Sequence, residues 1–294
     1  MKKSVSMLLA ALMLTGALAG CASDTQAADG ADSGVSGAIT VISREDGSGT
    51  RGAFIELTGV EEKTADGKKV DNTTADAEIA NKTDVVLTSV AGNEKAIGYI
   101  SLGALNDTVK AVKVDGAEAT VDNVKAGAYK LSRPFNIATK GEPTGVAKDF
   151  ISFILSKEGQ AVVTDNKYIA VNDAAESFVS DGSSGQIAVG GSSSVSPVME
   201  KLIEAYKSVN PNASIDLQTS DSTSGMTGAM DGTFAIGMAS RELKDEEAAQ
   251  LTGTAIALDG IAVIVNPANT IDELSMDQIK SIYVGDITDW GDLA

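Results

Sequence analysis

Ile39–Phe54 reads ITVISREDGSGTRGAF, a short apolar run followed by a polar turn and a helical pattern. Ala38–Ile42 has the length and the branched residues of a buried strand. The turn Asp46–Thr50 (DGSGT) combines glycines with hydroxyls and opens a predicted helix over Thr50–Leu57. A helix N-terminus carries about half a positive charge and several unpaired N–H groups, so this stretch predicts an anion-binding loop.

Two further loops share this design. Gly190–Ser194 (GGSSS) and Thr219–Gly225 (TSDSTSG) each follow a predicted strand and precede a predicted helix. One such loop alone is typical of an ordinary turn or N-cap. Three together, with Arg44 beside one of them, favour a cradle for a small tetrahedral anion.

Arg44 ends the first predicted strand and lies four residues before Ser48. A guanidinium does not stabilise a helix N-terminus, so an anion between the two would be a natural partner. Asp46 is placed to pair with Arg44 and to orient it. The alternative for this pair is a plain surface ion pair.

Short apolar runs alternate with helical patterns along the rest of the chain, which predicts an α/β protein with largely parallel sheets covered by helices. One predicted helix spans Pro197–Lys207, with Ser196 as its N-cap. Another spans Met276–Val284, where Ser275 and Gln278 have the spacing of a capping box. The length of 294 residues suggests about two domains.

Composition excludes several classes of function. The chain has 41 Asp+Glu against 23 Lys+Arg, and this acidic balance disfavours a nucleic-acid partner. It has no histidine, so histidine-based nucleophile couples and imidazole metal ligands are excluded. One cysteine allows neither an internal disulfide nor a thiolate metal cluster. The sequence therefore predicts a protein that is not an enzyme and carries no cofactor or metal.

The N-terminal segment resembles a bacterial lipoprotein signal. Lys2 and Lys3 precede the short apolar stretch Met7–Ala17, which ends at Leu18–Cys21 (LAGC). We therefore expect a signal peptide over residues 1–20, a lipid on Cys21 and a flexible tether over residues 21–37. The protein would be extracytoplasmic and anchored to the cell membrane by this lipid alone. The alternative is an ordinary signal peptide with an incidental cysteine.

Further blocks accompany Ile39–Phe54. They are AIGYISL (Ala96–Leu102), GSSSVSPVMEKL (Gly191–Leu202), IGMASREL (Ile236–Leu243), DGIAVIVNP (Asp259–Pro267) and the region of Trp290. Together they resemble the phosphate-binding substrate receptor of phosphate-specific ABC transporters. The resemblance implies a two-lobed clamshell of the type II periplasmic-binding-protein kind with the ligand between its lobes. It also implies a monomeric receptor that captures inorganic phosphate for the permease subunits of an importer.

The order of these blocks differs from the usual order in that family. There the GSSS-like loop comes first, whereas here the RxDGSGT block is first and Trp290 is almost last. A circularly permuted chain would have this order, and so would a fragment of a tandem protein. Permutation predicts that the two ends of the folded part are adjacent.

The resemblance also implies a division into lobes and a set of anion-binding residues. One lobe would comprise residues 38–97 and 260–294, the other would be continuous over 98–259, and Gly98 and Gly260 would mark the hinge. The phosphate-binding residues would be Arg44, Ser48, Gly49, Thr50, Ser193, Ser194, Ser222 and Ser240.

Ser240 stands where the best-known branch of the family has a proton-accepting aspartate. Asp221 is a candidate replacement acceptor, and its alternative role is that of an acid at a helix N-terminus. Two other functions stay open: a receptor for another oxyanion such as sulfate or molybdate, and a phosphate sensor or scaffold.

Overall fold

The computed structural model describes residues 35–293. The expected signal peptide, the lipidated Cys21 and nearly all of the expected tether lie outside the described residues. Across residues 35–293, no helix combines the length and the apolar character needed to cross a bilayer.

The described chain alternates strands and helices. The strands are β1 (Thr40–Arg44), β2 (Glu61–Lys63), β3 (Lys69–Asp71), β4 (Glu78–Ala80), β5 (Ala96–Ser101), β6 (Lys110–Ala111), β7 (Lys113–Val114), β8 (Ser132–Thr139), β9 (Gly185–Ser192), β10 (Ala213–Ser220), β11 (Ile236–Ala239), β12 (Thr252–Val265) and β13 (Glu273–Leu274). The helices are α1 (Gly49–Thr58), α2 (Thr83–Ala91), α3 (Val121–Lys125), α4 (Gly145–Leu155), α5 (Lys157–Asp165), α6 (Ser196–Val209), α7 (Ser222–Asp231), α8 (Asp245–Ala248) and α9 (Met276–Val284).

The main sheet has the strand order β10-β9-β11-β8-β12-β5-β1-β4, with β6 also paired to β12. At each end of this order the neighbouring strands are parallel, as β1 is to β4 and β5, and β9 is to β10 and β11. The central strands β8 and β12 are antiparallel to their neighbours. The α/β class is therefore confirmed, but the sheet is mixed because its two central strands run in opposite directions.

Two large hydrophobic cores lie at opposite ends of this sheet, and the described residues also form a smaller cluster that includes Met226 of α7 and Leu251. The first includes Phe54, Tyr99, Tyr283 and Trp290, and draws on residues 41–131 and 261–290 together with Ile169. The second draws its buried side chains from residues 135–257. We call the parts of the chain around these cores lobe 1 and lobe 2. They confirm the two-lobed fold.

The expected boundary at residues 97/98 does not coincide with this packing. Tyr99 and Ile100 on β5, and Tyr129 and Leu131 beyond it, are buried in the core of lobe 1. The reason is strand pairing, because β5 lies between β1 and the C-terminal half of β12. The chain instead passes between the lobes along β8 and β12.

A buried ion pair lies where β8 and β12 pass between the lobes. Arg133 and Asp259 are register partners on these strands, and Nη2 of Arg133 lies 3.2 Å from Oδ2 of Asp259. Ser101 donates a further hydrogen bond to Asp259 at 2.9 Å. Burial raises the pKa of Asp259 to about 6, although Arg133 opposes this shift.

The two ends of the described chain meet in lobe 1. Ala38 forms a β-bridge with Asp289, and the amide of Ile39 donates to the carbonyl of Thr288 at 2.8 Å. Nε1 of Trp290 donates to the carbonyl of Lys95 at 2.9 Å. The adjacent ends that a permuted order requires are thus present.

Local sequence signals explain several helix starts. Ser275 and Gln278 form the expected capping box of α9. The expectation that Ser196 caps α6 is wrong, because Val195 occupies the N-cap position and Ser196 is the first helical residue. The Ser196 hydroxyl instead bonds Thr219 Oγ1 at 2.8 Å, which ties α6 to β10.

Candidate functional site

Four helix N-termini converge at the contact between the lobes. α1 and α2 follow β1 and β4 in lobe 1, and α6 and α7 follow β9 and β10 in lobe 2. Parallel strands place their carboxyl ends at one edge of a sheet, so each pair of helices starts on the same side of its lobe. The first amides of each helix have no intrahelical acceptor, which gives this region donors for an anion.

Arg44 is the cation at the centre of this region and is only 2% exposed. Its Nη2 donates to Ser193 Oγ in lobe 2 at 3.1 Å, and its Nε donates to the carbonyl of Ala80 at 3.1 Å. Among residues 35–293 no group accepts a hydrogen bond from Nη1. One corner of the guanidinium therefore remains available to a ligand.

The carboxylate that orients Arg44 is Glu45, not Asp46. Glu45 accepts from Nε and Nη2 of Arg44, both at 2.8 Å. The side chain of Asp46 is 97% exposed and pairs with Arg51 at 2.8 Å. The expected Arg44–Asp46 pair is therefore wrong. Asp46 points to solvent, and the preceding residue, Glu45, contacts Arg44 instead.

Tyr99 supports Arg44 from within the core and was missed by sequence reasoning. Its hydroxyl accepts from the amide of Arg44 at 3.2 Å and bonds Ser43 Oγ at 2.9 Å. Its ring stacks on Phe54 with centroids 3.9 Å apart. Burial raises the pKa of Tyr99 to about 12.

Hydroxyl groups join the two lobes across the site. Thr50 Oγ1 and Ser194 Oγ are 2.8 Å apart. Thr83, the first residue of α2, lies 3.3 Å from Ser194 Oγ and 3.5 Å from Ser193 Oγ. Thr83 was also missed, because no capping signal marks the start of α2.

The lobe 2 side is a cluster of buried serines. Ser240 Oγ accepts from Ser192 Oγ at 3.0 Å, and the amide of Ser240 donates to Ser222 Oγ at 3.1 Å. Ser192, the last residue of β9, belongs to this cluster; it lies in the predicted Gly190–Ser194 loop but was not among the eight predicted phosphate-binding residues. All three are less than 5% exposed. The cluster offers neutral hydroxyls to a ligand rather than charge.

Glycines allow lobe 1 to approach these serines closely. A Cβ on Gly49 would overlap the Ser222 hydroxyl and lie 2.8 Å from Ser240 Oγ. A Cβ on Gly47 would overlap the carboxylate of Asp221. Ser48, between them, caps α1 by accepting from the amide of Arg51 at 3.3 Å. The RxDGSGT loop therefore carries side chains only where the opposite lobe leaves room.

Asp221 is the N-cap of α7. Its carboxylate accepts from the amide of Ser224 at 2.9 Å and from the Ser224 hydroxyl at 2.5 Å. This geometry matches the alternative role of a helix N-terminal acid. Seven of the eight predicted residues thus take part in contacts at the lobe interface, and Ser48 is buried at the same helix start.

Comparison with known proteins shows the family to which the chain belongs. A family profile described as a PBP superfamily domain matches residues 9–158 and 177–294. Phosphate-binding protein PstS 2 of Streptococcus agalactiae is 50% identical over 295 residues, which cover 99% of this chain and 98% of that protein. Phosphate-binding protein PstS 2 of Streptococcus pneumoniae is 48% identical over 291 residues, covering 99% of each. The chain therefore belongs to the PBP superfamily and, within it, to the family of the PstS phosphate-binding proteins.

A solved structure shares the fold. The crystal structure of a phosphate-binding protein of a phosphate ABC transporter from Streptococcus pneumoniae has a TM-score of 0.70 to this chain at 50% identity. The match covers 88% of this chain and all of that one. Because the two sequence alignments run almost end to end, those relatives share the block order seen here.

Proposed function

We propose that the chain captures inorganic phosphate between its two lobes and delivers it to the permease of an ABC importer. One observation carries this proposal: the buried guanidinium of Arg44 bonds through Nη2 to Ser193 of the opposite lobe, next to the contact between Thr50 and Ser194, and its Nη1 has no acceptor among residues 35–293. Charge-assisted hydrogen bonds from a guanidinium suit a tetrahedral oxyanion. The names of the relatives give the same ligand and the same transport context.

The proposed action is binding and release without bond chemistry. Ligand between the lobes would favour the closed form, because only that form presents donors from both lobes. The serines of the site contact other hydroxyls, amides and Arg44, and the chain has no histidine to activate them.

Titration calorimetry tests the ligand. We expect phosphate to bind at one site per chain, with sulfate at the same ionic strength giving weaker binding. A protein that gives no heat with phosphate, and whose melting temperature phosphate does not raise, is not a phosphate receptor.

The second candidate function is a receptor for other tetrahedral oxyanions. The charges around the site support this candidate. Glu45 is paired with Arg44, Asp221 caps α7, and Ser240 is neutral. A hydroxyl can rotate to donate or to accept, so it does not reject an anion that lacks a proton. Equal affinity for phosphate and sulfate in the same titration would favour this broader specificity.

We further propose that the mature protein is extracytoplasmic, monomeric and held to the membrane by a lipid on Cys21. The export and the lipid anchor are supported by the LAGC sequence around the one cysteine of the chain. In cells that process lipoproteins, Cys21→Ala should move the protein from the membrane fraction to the soluble extracytoplasmic fraction. Equal membrane association of Cys21→Ala and the unaltered chain would contradict a lipid anchor.

A further inference from the structure

Arg241 is a further buried arginine at the lobe interface, besides Arg44 and Arg133, and its guanidinium is bound within lobe 2. Nη1 and Nη2 donate to the two carboxylate oxygens of Glu247 at 2.7 and 2.8 Å. The two side chains are 10% and 3% exposed. A bidentate pair of this kind fixes the plane of the guanidinium as well as its position.

The carboxylate of Glu247 is kept ionised, as its ion pair with Arg241 requires. Burial alone would raise its pKa, but the hydrogen bonds from Arg241 and from the amide of Lys244 leave the pKa below its usual value. The amide of Lys244 donates to Glu247 at 2.9 Å. This bond also caps the short helix α8, so the carboxylate is fixed from two sides.

Arg241 reaches lobe 1 through Thr223. Nη2 of Arg241 donates to Thr223 Oγ1 at 3.3 Å, and Thr223 Oγ1 donates to the carbonyl of Gly47 at 3.2 Å. A hydroxyl has one proton, so accepting from Arg241 directs that proton to Gly47. The amide of Thr223 donates to the same carbonyl at 3.1 Å. Lobe 2 therefore donates two hydrogen bonds to one carbonyl of the RxDGSGT loop.

The stem of Arg241 lies against the glycine face of α1. Its Cγ is 3.0 Å from the position of a Cβ on Gly49, and its Cδ is 3.8 Å from that of a Cβ on Gly52. On the outer side, Arg241 and Gly52 line an inter-lobe cleft of about 670 Å³ that extends to Arg133. The stem thus separates this cleft from the serines and Gly49 of the anion site.

We propose that Arg241 is a positioning residue that latches the closed lobes through Thr223 and seals the anion site from the outer cleft. The inference rests on the proposed capture of an anion at this site. The latch joins the lobes only when they are closed, so it acts on release of the ligand and not on its arrival.

The direct test is the double variant Arg241→Met with Glu247→Gln, which leaves no buried carboxylate without its partner. The control is Lys201→Met with Glu204→Gln, an exposed pair of lobe 2 whose side chains are 54% and 74% exposed. By stopped flow, we expect phosphate to dissociate about tenfold faster from the double variant, with its association rate changed less than about twofold. A dissociation rate equal to that of the control, or a loss confined to the melting temperature of the ligand-free protein, overturns the latch.

Thr223 gives a milder second variant. Thr223→Val removes the hydroxyl and keeps the amide bond to Gly47, so dissociation should accelerate about threefold. Thr223→Ser restores the hydroxyl and should restore the original rate. Equal dissociation rates for the valine and serine variants would contradict the relay from Arg241.

Hydrogen exchange at the Thr223 amide separates this inference from the proposed function. If calorimetry shows that the protein refuses phosphate, the proposed function fails, yet the latch is still measurable without ligand. We expect the Thr223 amide to exchange faster in the Arg241→Met/Glu247→Gln variant than in the Lys201→Met/Glu204→Gln control. Equal exchange in both proteins overturns the latch.

Discussion

The two lobes form opposite walls of one anion site, and the two walls differ in their chemistry. Lobe 1 supplies the buried cation Arg44, whose guanidinium is oriented by Glu45. Lobe 2 supplies the hydroxyls of Ser193, Ser194 and Ser222 and the starts of two helices. We infer that attraction for an anion resides mainly in lobe 1, whereas lobe 2 contributes shape and closure.

The largest expected effect tests the charged wall. Arg44→Met should weaken phosphate binding by at least about 100-fold, because it removes charge-assisted hydrogen bonds worth about 1.5–3 kcal/mol each. Titration calorimetry measures the loss, and Arg44→Lys should give an intermediate affinity since it keeps the charge without the fork. Affinity within fivefold of the unaltered protein would place the attraction elsewhere.

The strands β8 and β12, which pass between the two lobes, carry a group whose titration makes stability depend on pH. Burial raises the pKa of Asp259 to about 6, whereas the unfolded chain loses this proton near pH 4. The folded state therefore holds more protons between about pH 4 and 6, and this group lowers the unfolding free energy as pH rises through that window, by about 3 kcal/mol. Urea unfolding should show this fall, and Asp259→Asn should lack it. Parallel pH profiles for the two proteins would contradict the shift.

Close approach of the walls is tested at Gly49. Gly49→Ala should lower phosphate affinity about tenfold, because its Cβ would overlap the Ser222 hydroxyl and hold the lobes apart. Gly52→Ala is the matched control, since the nearest atom to its Cβ is Arg241 Cδ at 3.8 Å. Calorimetry should leave that control unchanged. Equal losses in both variants would mean that glycine matters here for α1 itself rather than for closure.

The neutral contact between the walls has a smaller effect. Thr50→Val and Ser194→Ala each remove one end of a 2.8 Å hydrogen bond and should each cost about fivefold in affinity. The double variant should be little worse than either single one, because the two groups act through a shared contact. Strictly multiplicative losses in calorimetry would show that the two hydroxyls serve the ligand independently.

The smallest effect is expected at Asp46, which was predicted to support the site but lies in solvent beside Arg51. Its side chain is 97% exposed and contacts Arg51. Asp46→Asn should leave phosphate affinity unchanged, whereas Glu45→Gln should weaken it by loosening Arg44. If calorimetry finds the larger loss in Asp46→Asn, the assignment of Glu45 is wrong.

The sequence predicted features that depend on neighbouring residues. The capping box at Ser275 and the helix Met276–Val284 are observed as predicted, because such signals act over a single turn. The class of fold and the loops of the site likewise followed from local patterns and from the resemblance. The roles of Ser192 and Thr83 in the site were not predicted, because they arise only when distant loops meet.

Non-local pairing accounts for the remaining differences. Glu45 and Asp46 are adjacent acids next to Arg44, and only the folded turn decides which one faces it. The lobe boundary depended on β5, whose partners β1 and β12 are far apart in sequence. A glycine such as Gly98 suggests a hinge, but strand order decides where the chain crosses.

The meeting of the chain ends constrains how motion of this molecule can be observed. Ala38 and Asp289 pair within lobe 1, so fluorophores attached at the two ends would travel on the same body and report no change on closure. Val179 is 87% exposed, and the adjacent Phe178 packs on the core of lobe 2. A dye at residue 179 paired with one at either end of the folded chain would convert ligand capture into a distance change.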